Sequence, residues 1–249
     1  MSAITLQGVH RRFGTQEVLR GVDLEVPRGQ VTVIIGRSGT GKSVLLKHVM
    51  GLLRPDAGVI RVGDVDITKM NDRQLRTLRF RFGMVFQNAA LFDSMNVYDN
   101  VAFPLREHTR QTEKQIRERV MAMLGSVGLG EAGEKAVNEL SGGMRKRVGL
   151  ARAMVRSPEF LLYDEPTTGL DPIMTAQIDA LIRDTQDQNP GLTSLVISHD
   201  MHATFAIADK IAMLYEGKVI HEGTAEDFQT CDDARVRQFV EGRLDGPIQ

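Results

Sequence analysis

The eight residues GRSGTGKS, positions 36 to 43, constrain this chain more than any other stretch. They match the spacing G-x-x-x-x-G-K-[ST], with the apolar run VTVII before them and KSVLLKHVMGLL continuing from them. A short run that is apolar at every position predicts a strand buried on both faces. Val44, Leu45, Val49 and Leu52 are spaced for one face of a helix. A strand that turns through glycines into a helix sets a nest of backbone N–H groups at the helix N-terminus, where phosphate oxygens bind. Gly36, Gly39 and Gly41 let the backbone turn and approach the phosphates without obstruction, with Arg37, Ser38 and Thr40 between them. Lys42 is expected at the β- and γ-phosphates of ATP, and the Ser43 hydroxyl on Mg²⁺.

FLLYDEP, positions 160 to 166, carries the acidic groups that such a loop requires. Asp164 is expected in the Mg²⁺ shell, directly or through water, because Mg²⁺ prefers oxygen ligands and keeps several waters. Glu165 is placed to orient and deprotonate an attacking water. Taken alone, an Asp-Glu pair after an apolar run is more often a solvated strand end. A phosphate loop upstream reverses that weighting.

Around these stretches strand and helix patterns alternate. ITLQGVHRRF and LRGVDLEV alternate polar and apolar residues about a turn-like FGTQ. TSLVIS is another short apolar strand, and KIAMLYEGKVIHEG reads as a closing hairpin. Residues 96 to 156 read as mostly helical, including TEKQIRERVMAMLGSVG. Strand-rich ends about a helical middle predict an α/β fold with a helical insertion at roughly 88 to 157.

Charge narrows the function classes. With 31 Lys and Arg against 32 Asp and Glu, the formal charge of −1 argues against a nucleic-acid binder that relies on bulk charge. The basic clusters RQLRTLRFRF (Arg73, Arg76, Arg79 and Arg81) and MRKRVGLAR are therefore read as solvated faces or protein contacts. The single cysteine, Cys231, excludes an internal disulfide and fits a reducing compartment. The opening MSAITLQGVHRRF lacks the character of a signal or transit peptide. Apolar runs fall far short of the ~20 residues that span a bilayer, so work on a membrane requires a partner inside one.

A second glycine-rich stretch, LSGGMRKR at positions 140 to 147, raises the question of why one nucleotide needs two loops. By itself Ser141 reads as the N-cap of a helix with exposed cations. In order along the chain stand the phosphate loop, Gln87 in VFQN, then LSGGM, LLYDEP, Asp171 in GLDP and His199 in ISHD. On that ordered set, essentially the whole chain resembles the ABC-type ATPases. The resemblance implies an α/β P-loop NTPase fold: a mostly parallel core sheet, an N-terminal antiparallel β subdomain and a helical subdomain insertion. It implies one domain over 1–249, with a RecA-like core and the β subdomain in 1–87 and 158–230. The helical signature subdomain would occupy 88–157 and a C-terminal helical tail 231–249.

In that family two domains dimerise head to tail, each ATP lying between one subunit's phosphate loop and the other's signature loop. Ser141, Gly142 and Gly143 would then meet the γ-phosphate of the partner's nucleotide, with a helix dipole behind them. Met144 departs from the glutamine usual at its position. Phe13 matches the aromatic that stacks on adenine, and loop residues 36–44, ending at Val44, would surround the phosphates. Gln87 matches the residue that senses metal and γ-phosphate and couples them to a transmembrane partner. Asp171 matches the acidic residue that crosses the dimer interface, and His199 the histidine on the γ-phosphate. Glu165, His199, Gln87 and Lys42 are the implied catalytic set, acting by positioning and electrostatics. A monomer would be nearly inactive.

NAALFDSMNVYDNVAFPLREHT and the tail DDARVRQFVEGRLDGP further resemble the ATPases of Mla phospholipid-trafficking systems and their MCE-associated relatives. This implies a homodimer on an integral membrane permease of the MlaE type, an MCE lipid-binding protein and a small accessory subunit. It places the chain peripherally at the cytoplasmic face of the inner membrane, without contact to lipid or nucleic acid. Val236, Phe239 and Val240 also read as one face of an ordinary terminal helix. A solute importer and a soluble ABC regulator are the alternatives, with a scaffold lacking turnover disfavoured by Glu165 and His199.

Overall fold

The computed structural model describes residues 2–248; positions 1 and 249, the ends of the expected domain span, lie outside the described residues. The strand read from VTVII is β3 (Val31–Ile35), and all five of its residues are buried. It sits inside a six-stranded sheet with β6 (Phe82–Val85), β7 (Phe160–Asp164), β8 (Thr193–Ile197), β9 (Lys210–Tyr215) and β10 (Lys218–Gly223). The order is β10-β9-β3-β8-β7-β6. The pairs β9-β3, β3-β8, β8-β7 and β7-β6 are parallel, and only the β9-β10 hairpin is antiparallel. Side chains alternate across β3. Val31, Val33 and Ile35 join one apolar cluster, and Ile34 the other.

The second cluster lies between this sheet and an antiparallel one, order β2-β1-β4-β5, built from β1 (Ser2–Phe13), β2 (Gln16–Pro27), β4 (Ala57–Val62) and β5 (Val65–Asp66). Helix α1 (Lys42–Val49) is buried there through Leu45, Leu46 and Val49. The first cluster covers the opposite face with α3 (Val97–His108), α4 (Glu113–Ser126) and α5 (Gly142–Met154). Helices α6 (Pro172–Gln188), α7 (Met201–Ile207), α8 (Ala225–Gln229) and α9 (Ala234–Glu241) complete the layer. Val236 is fully buried there, with Phe239 and Val240 packed alongside. None of the described helices is long and apolar enough to cross a membrane.

Three details depart from the sequence reading. Helix α1 ends at Val49, so Leu52 is not on its apolar face but 51% exposed. Gly51 turns left-handed (φ 62°), and the N–H groups of Leu52 and Leu53 fold back onto the Lys47 carbonyl, closing the helix. The stretch AGVIRV forms β4, and RQLRTLR lies in α2 (Asp72–Arg79), capped reciprocally by Asn71 and Gln74. In that basic cluster Arg73 and Arg76 are exposed. Arg79 instead bonds the Gly51 carbonyl, and Arg81 forms a fork with Glu159.

Strand β7, which carries Asp164, buries Tyr163 completely, and its hydroxyl has no partner among the described residues. Burial pushes the phenol far up, so it stays neutral. An unpaired buried hydroxyl costs ~1 kcal/mol or more. Tyr163→Phe keeps the ring and is expected to raise stability by about 1 kcal/mol in urea unfolding.

Candidate nucleotide site

The loop after β3 is held by close backbone approaches that only glycine permits. Gly36 (φ 148°) lies where a Cβ would come 2.3 Å from the Leu214 carbonyl oxygen. Gly41 (φ 102°) precedes α1 where a Cβ would meet Val18 at 2.9 Å. Arg37, Ser38 and Gly39 are exposed on the rim, and the Thr40 hydroxyl donates to the Arg37 carbonyl at 2.9 Å. Lys42 is only 5% exposed; its ammonium donates to the carbonyls of Gly36 (2.7 Å) and Arg37 (2.8 Å). Burial lowers its pKa, while Glu165 and Asp164 raise it. Val44, half-buried, packs on the inter-sheet cluster.

Strand β7 brings Asp164 to the same edge of the sheet. The Ser43 hydroxyl donates to Asp164 Oδ1 at 3.0 Å. Burial pushes the Asp164 carboxyl up, Glu165 adds to that, and Ser43, Lys47 and Lys42 oppose it. Glu165 follows with φ 49°, a left-handed conformation that costs a non-glycine residue ~1–3 kcal/mol. Its N–H bonds the Ile197 carbonyl at 3.1 Å, and Oε2 accepts from the Thr168 hydroxyl at 3.0 Å. His199 Nδ1 stands 3.5 Å from the same oxygen, on the connection from β8 to α7. Lys42, Ser43, Asp164, Glu165 and His199 are thus linked by contacts or by charge. Beside the loop is a cavity of about 460 Å³ lined by Val18, Arg37, Gly39, Thr40, Tyr215 and Pro247, among others. Phe13, at the end of β1, is 42% exposed and does not line it; the Arg11 guanidinium lies 4.7 Å from its ring centre.

Ser141, Gly142 and Gly143 are not part of this cavity. Ser141 caps α5, its hydroxyl accepting from the Met144 N–H at 3.3 Å, and Ser141 and Gly142 face solvent. A Cβ on Gly142 would lie 3.4 Å from Leu170, so the helix start abuts the segment carrying Asp171. Asp171 is exposed and caps α6, accepting from the N–H groups of Ile173 and Met174.

Gln87 follows β6 with its side chain exposed, and its backbone shows what sequence reasoning missed. The buried Lys146 ammonium donates to the Gln87 carbonyl. Arg152 donates to the carbonyls of Ala89 (2.6 Å) and Ala90 (2.7 Å), both left-handed at φ 56° and 48°. Between them Gly149 leaves room for Ala89, whose Cβ would lie 3.2 Å from a Cβ added there. Burial lowers the pKa of Lys146, with Glu165 raising it. Lys146, Gly149 and Arg152 lie in a cluster read as solvated or ordinary. Their three-residue spacing, one face of a helix, was the available signal. Arg147, from the same cluster, bonds Gln177 instead.

A glycine-rich loop closing on a buried lysine, facing an acidic strand end at the edge of a parallel sheet, defines a P-loop nucleotide-binding ATPase. The ABC transporter family profile matches residues 19–168, and the chain belongs to that family. It is 46% identical over 246 residues to a probable ribonucleotide transport ATP-binding protein, mkl, of Mycobacterium leprae, covering 99% of this chain and 71% of the relative. It is 42% identical over 246 residues to MlaF of Haemophilus influenzae, an intermembrane phospholipid transport system ATP-binding protein, covering 99% and 93%. Among solved structures, cbiO1 of Clostridium perfringens, part of the ABC transporter complex cbiONQ, matches with TM-score 0.85 and 30% identity over 98% of this chain and 96% of that one. The dimeric ATP-binding cassette MJ0796 bound to ADP and Pi matches with TM-score 0.79 and 28% identity, over 89% and 98%. The chain is an ABC ATPase that binds ATP.

Lys146→Met keeps the buried stem but strips the donor from the Gln87 carbonyl. A hydrogen bond from a charged group is worth ~1.5–3 kcal/mol. ATP turnover is expected to fall about tenfold with ATP affinity held within about twofold, and Lys146→Arg to restore most of it. Steady-state ATPase assays and equilibrium nucleotide binding measure the two.

Proposed function

We propose that this chain is the ATP-hydrolysing subunit of a membrane transporter that moves phospholipid, working as a head-to-tail homodimer. One observation carries the dimer. The phosphate loop, Asp164, Glu165 and His199 gather at the C-terminal ends of β3, β7 and β8, while Ser141 and Gly142 at the start of α5 face solvent and Gly143 is buried behind them. Each chain therefore holds two half-sites, and a second copy completes both. The relatives support the substrate, since MlaF of Haemophilus influenzae carries phospholipid transport in its name.

In this reading Lys42 leaves its two carbonyls for the β- and γ-phosphates, and the loop N–H groups of 36–44 wrap the rest. The Ser43 and Asp164 oxygens, 3.0 Å apart, fit Mg²⁺, a hard cation that takes oxygen donors, and the exposed Gln87 side chain supplies a third. Burial, with Glu165 beside it, pushes the Asp164 carboxyl up, and a bound cation would offset both. When bound, Mg²⁺ neutralises charge on the phosphate oxygens. Glu165 takes the proton from the attacking water, and His199, exposed beside it, contacts the γ-phosphate. Ser141, Gly142 and Gly143 of the second copy close over that phosphate, and Asp171 lies at the seam. Phe13 offers the ring face not covered by Arg11 to adenine.

The permease reading rests on a cavity of about 400 Å³ between the core and the helical region. Phe80, Phe86, Phe92 and Phe103 are among its lining residues, and it opens beside Gln87. Aromatic rings, with Arg152 over Phe92 and Arg156 over Phe80, suit an amphipathic helix of a membrane partner. Through an MlaE-type permease, with an MCE protein and a small accessory subunit, the chain would sit at the cytoplasmic face of the inner membrane. The name of mkl favours a second reading, in which the cargo is a ribonucleotide.

Three measurements separate these possibilities. Glu165→Gln is expected to cut turnover by 10² or more while ATP still binds. If the two copies complete each other's sites, specific activity of the isolated chain rises with its concentration and saturates as the dimer fills. Pulldown from detergent-solubilised native membranes, read by mass spectrometry, is expected to return a permease and an MCE protein with phospholipid. A complex carrying nucleotide cargo and no lipid would support the second reading instead.

A further inference from the structure

Directly after the segments that carry Asp171 and His199, and apart from the aromatic cavity, α6 and α7 enclose an open trough of about 730 Å³. Its walls are apolar and low, with Leu170, Pro172, Ala176, Ala180, Ala206 and Ile207. At its floor is Asp179, 6% exposed and without a hydrogen-bond donor among the described residues. A buried carboxylate without a partner is costly. The one Lys or Arg among its lining residues, Arg183, is already committed to Asp187 and Asp209. Asp184 from α6 and Asp200, the cap of α7, add negative charge at the rim, against one histidine, His202.

We propose that this trough is a docking site for a partner polypeptide, which lays an apolar helix face across Ala176, Ala180 and Ala206 and sends one Lys or Arg side chain down to Asp179. The acidic floor asks for a cation. The volume is several times that of one such side chain, so the cation arrives attached to more apolar surface. The alanines keep both walls low enough for another backbone to come close. Ile173, 72% exposed on the first turn of α6, extends the apolar contact. The inference goes beyond the reading of the nucleotide site and stands whether or not the cargo is lipid.

Burial pushes Asp179 up to about 6, Asp200 adds to this, and His202 opposes it. Because the folded-state value lies above the ordinary 3.8, the penalty for ionising it is absent below that value and full above about 6. Asp179→Asn should therefore raise Tm at pH 7.5 and leave it unchanged near pH 4, with ATPase activity retained. Such a stabilising change at a conserved activity is what a binding residue held at a cost to stability predicts.

Docking is tested in the assembled complex in cells with Ala206→p-benzoylphenylalanine and photo-cross-linking, the cross-linked peptides mapped by mass spectrometry. The expected result is one polypeptide whose attached segment carries a Lys or Arg within a helical turn, with the yield falling at least tenfold when Asp179→Asn is added. The raised Tm of that variant excludes misfolding as the cause. No cross-link, a cross-link to a second copy of this chain, a segment without a cation, or a yield indifferent to Asp179→Asn would each overturn the proposal.

Discussion

Everything at the phosphate end of this molecule depends on one buried cation. Lys42 has lost most of its water and contacts no counter-ion among the described residues; two carbonyls of its own loop solvate it. Those carbonyls are in reach only because Gly36 and Gly41 take backbone turns that a side chain would block. Asp164 and Glu165 act on the lysine through charge at longer range, and Ser43 ties α1 to β7 by a hydrogen bond. In the proposed function the lysine exchanges these carbonyls for phosphate oxygens, a stronger charge-assisted partner. The shape of the loop is thus set by the charge of its own lysine.

Helix α5 gives that chemistry a mechanical reach. Its start is capped by Ser141 and touches the segment before α6, while its middle grips the backbone from Gln87 to Ala90 through Lys146, Gly149 and Arg152. Two consecutive alanines are held left-handed there, so their carbonyls turn toward the helix. A rigid rotation of α5 must carry both ends. Gln87 follows Phe86, which lines the aromatic cavity, so the backbone that α5 grips also borders that cavity.

Much of this was legible in linear order. The buried strand of VTVII, the loop, the acidic pair and the closing hairpin occupy the positions that pattern and spacing assign. Where the pattern misled, a tertiary contact had intervened. Leu52 keeps helical spacing, but Gly51 turns the chain against Leu75 and leaves Leu52 outside. The strand AGVIRV was hidden because only part of its length is buried, so its alternation is weak. The run MRKRVGLAR gave cations without directions: Arg145 faces solvent, Arg147 reaches Gln177, and Lys146 and Arg152 point inward.

By itself the sequence determined what is local: which segments are buried strands, where a phosphate loop must form, and which acids follow a strand end. These follow from side-chain periodicity and from backbone conformations open only to glycine, neither of which needs a distant neighbour. The tertiary structure alone decided which side chains meet. Ser43 with Asp164, Glu165 with His199, and Lys146 with the Gln87 carbonyl are joined across long stretches of chain by the order of strands in the sheet. It also decided that Asp179, one of many acids in the composition, would be buried without a partner. Burial and pairing are set by packing between elements, and packing is not written in the spacing of any one of them.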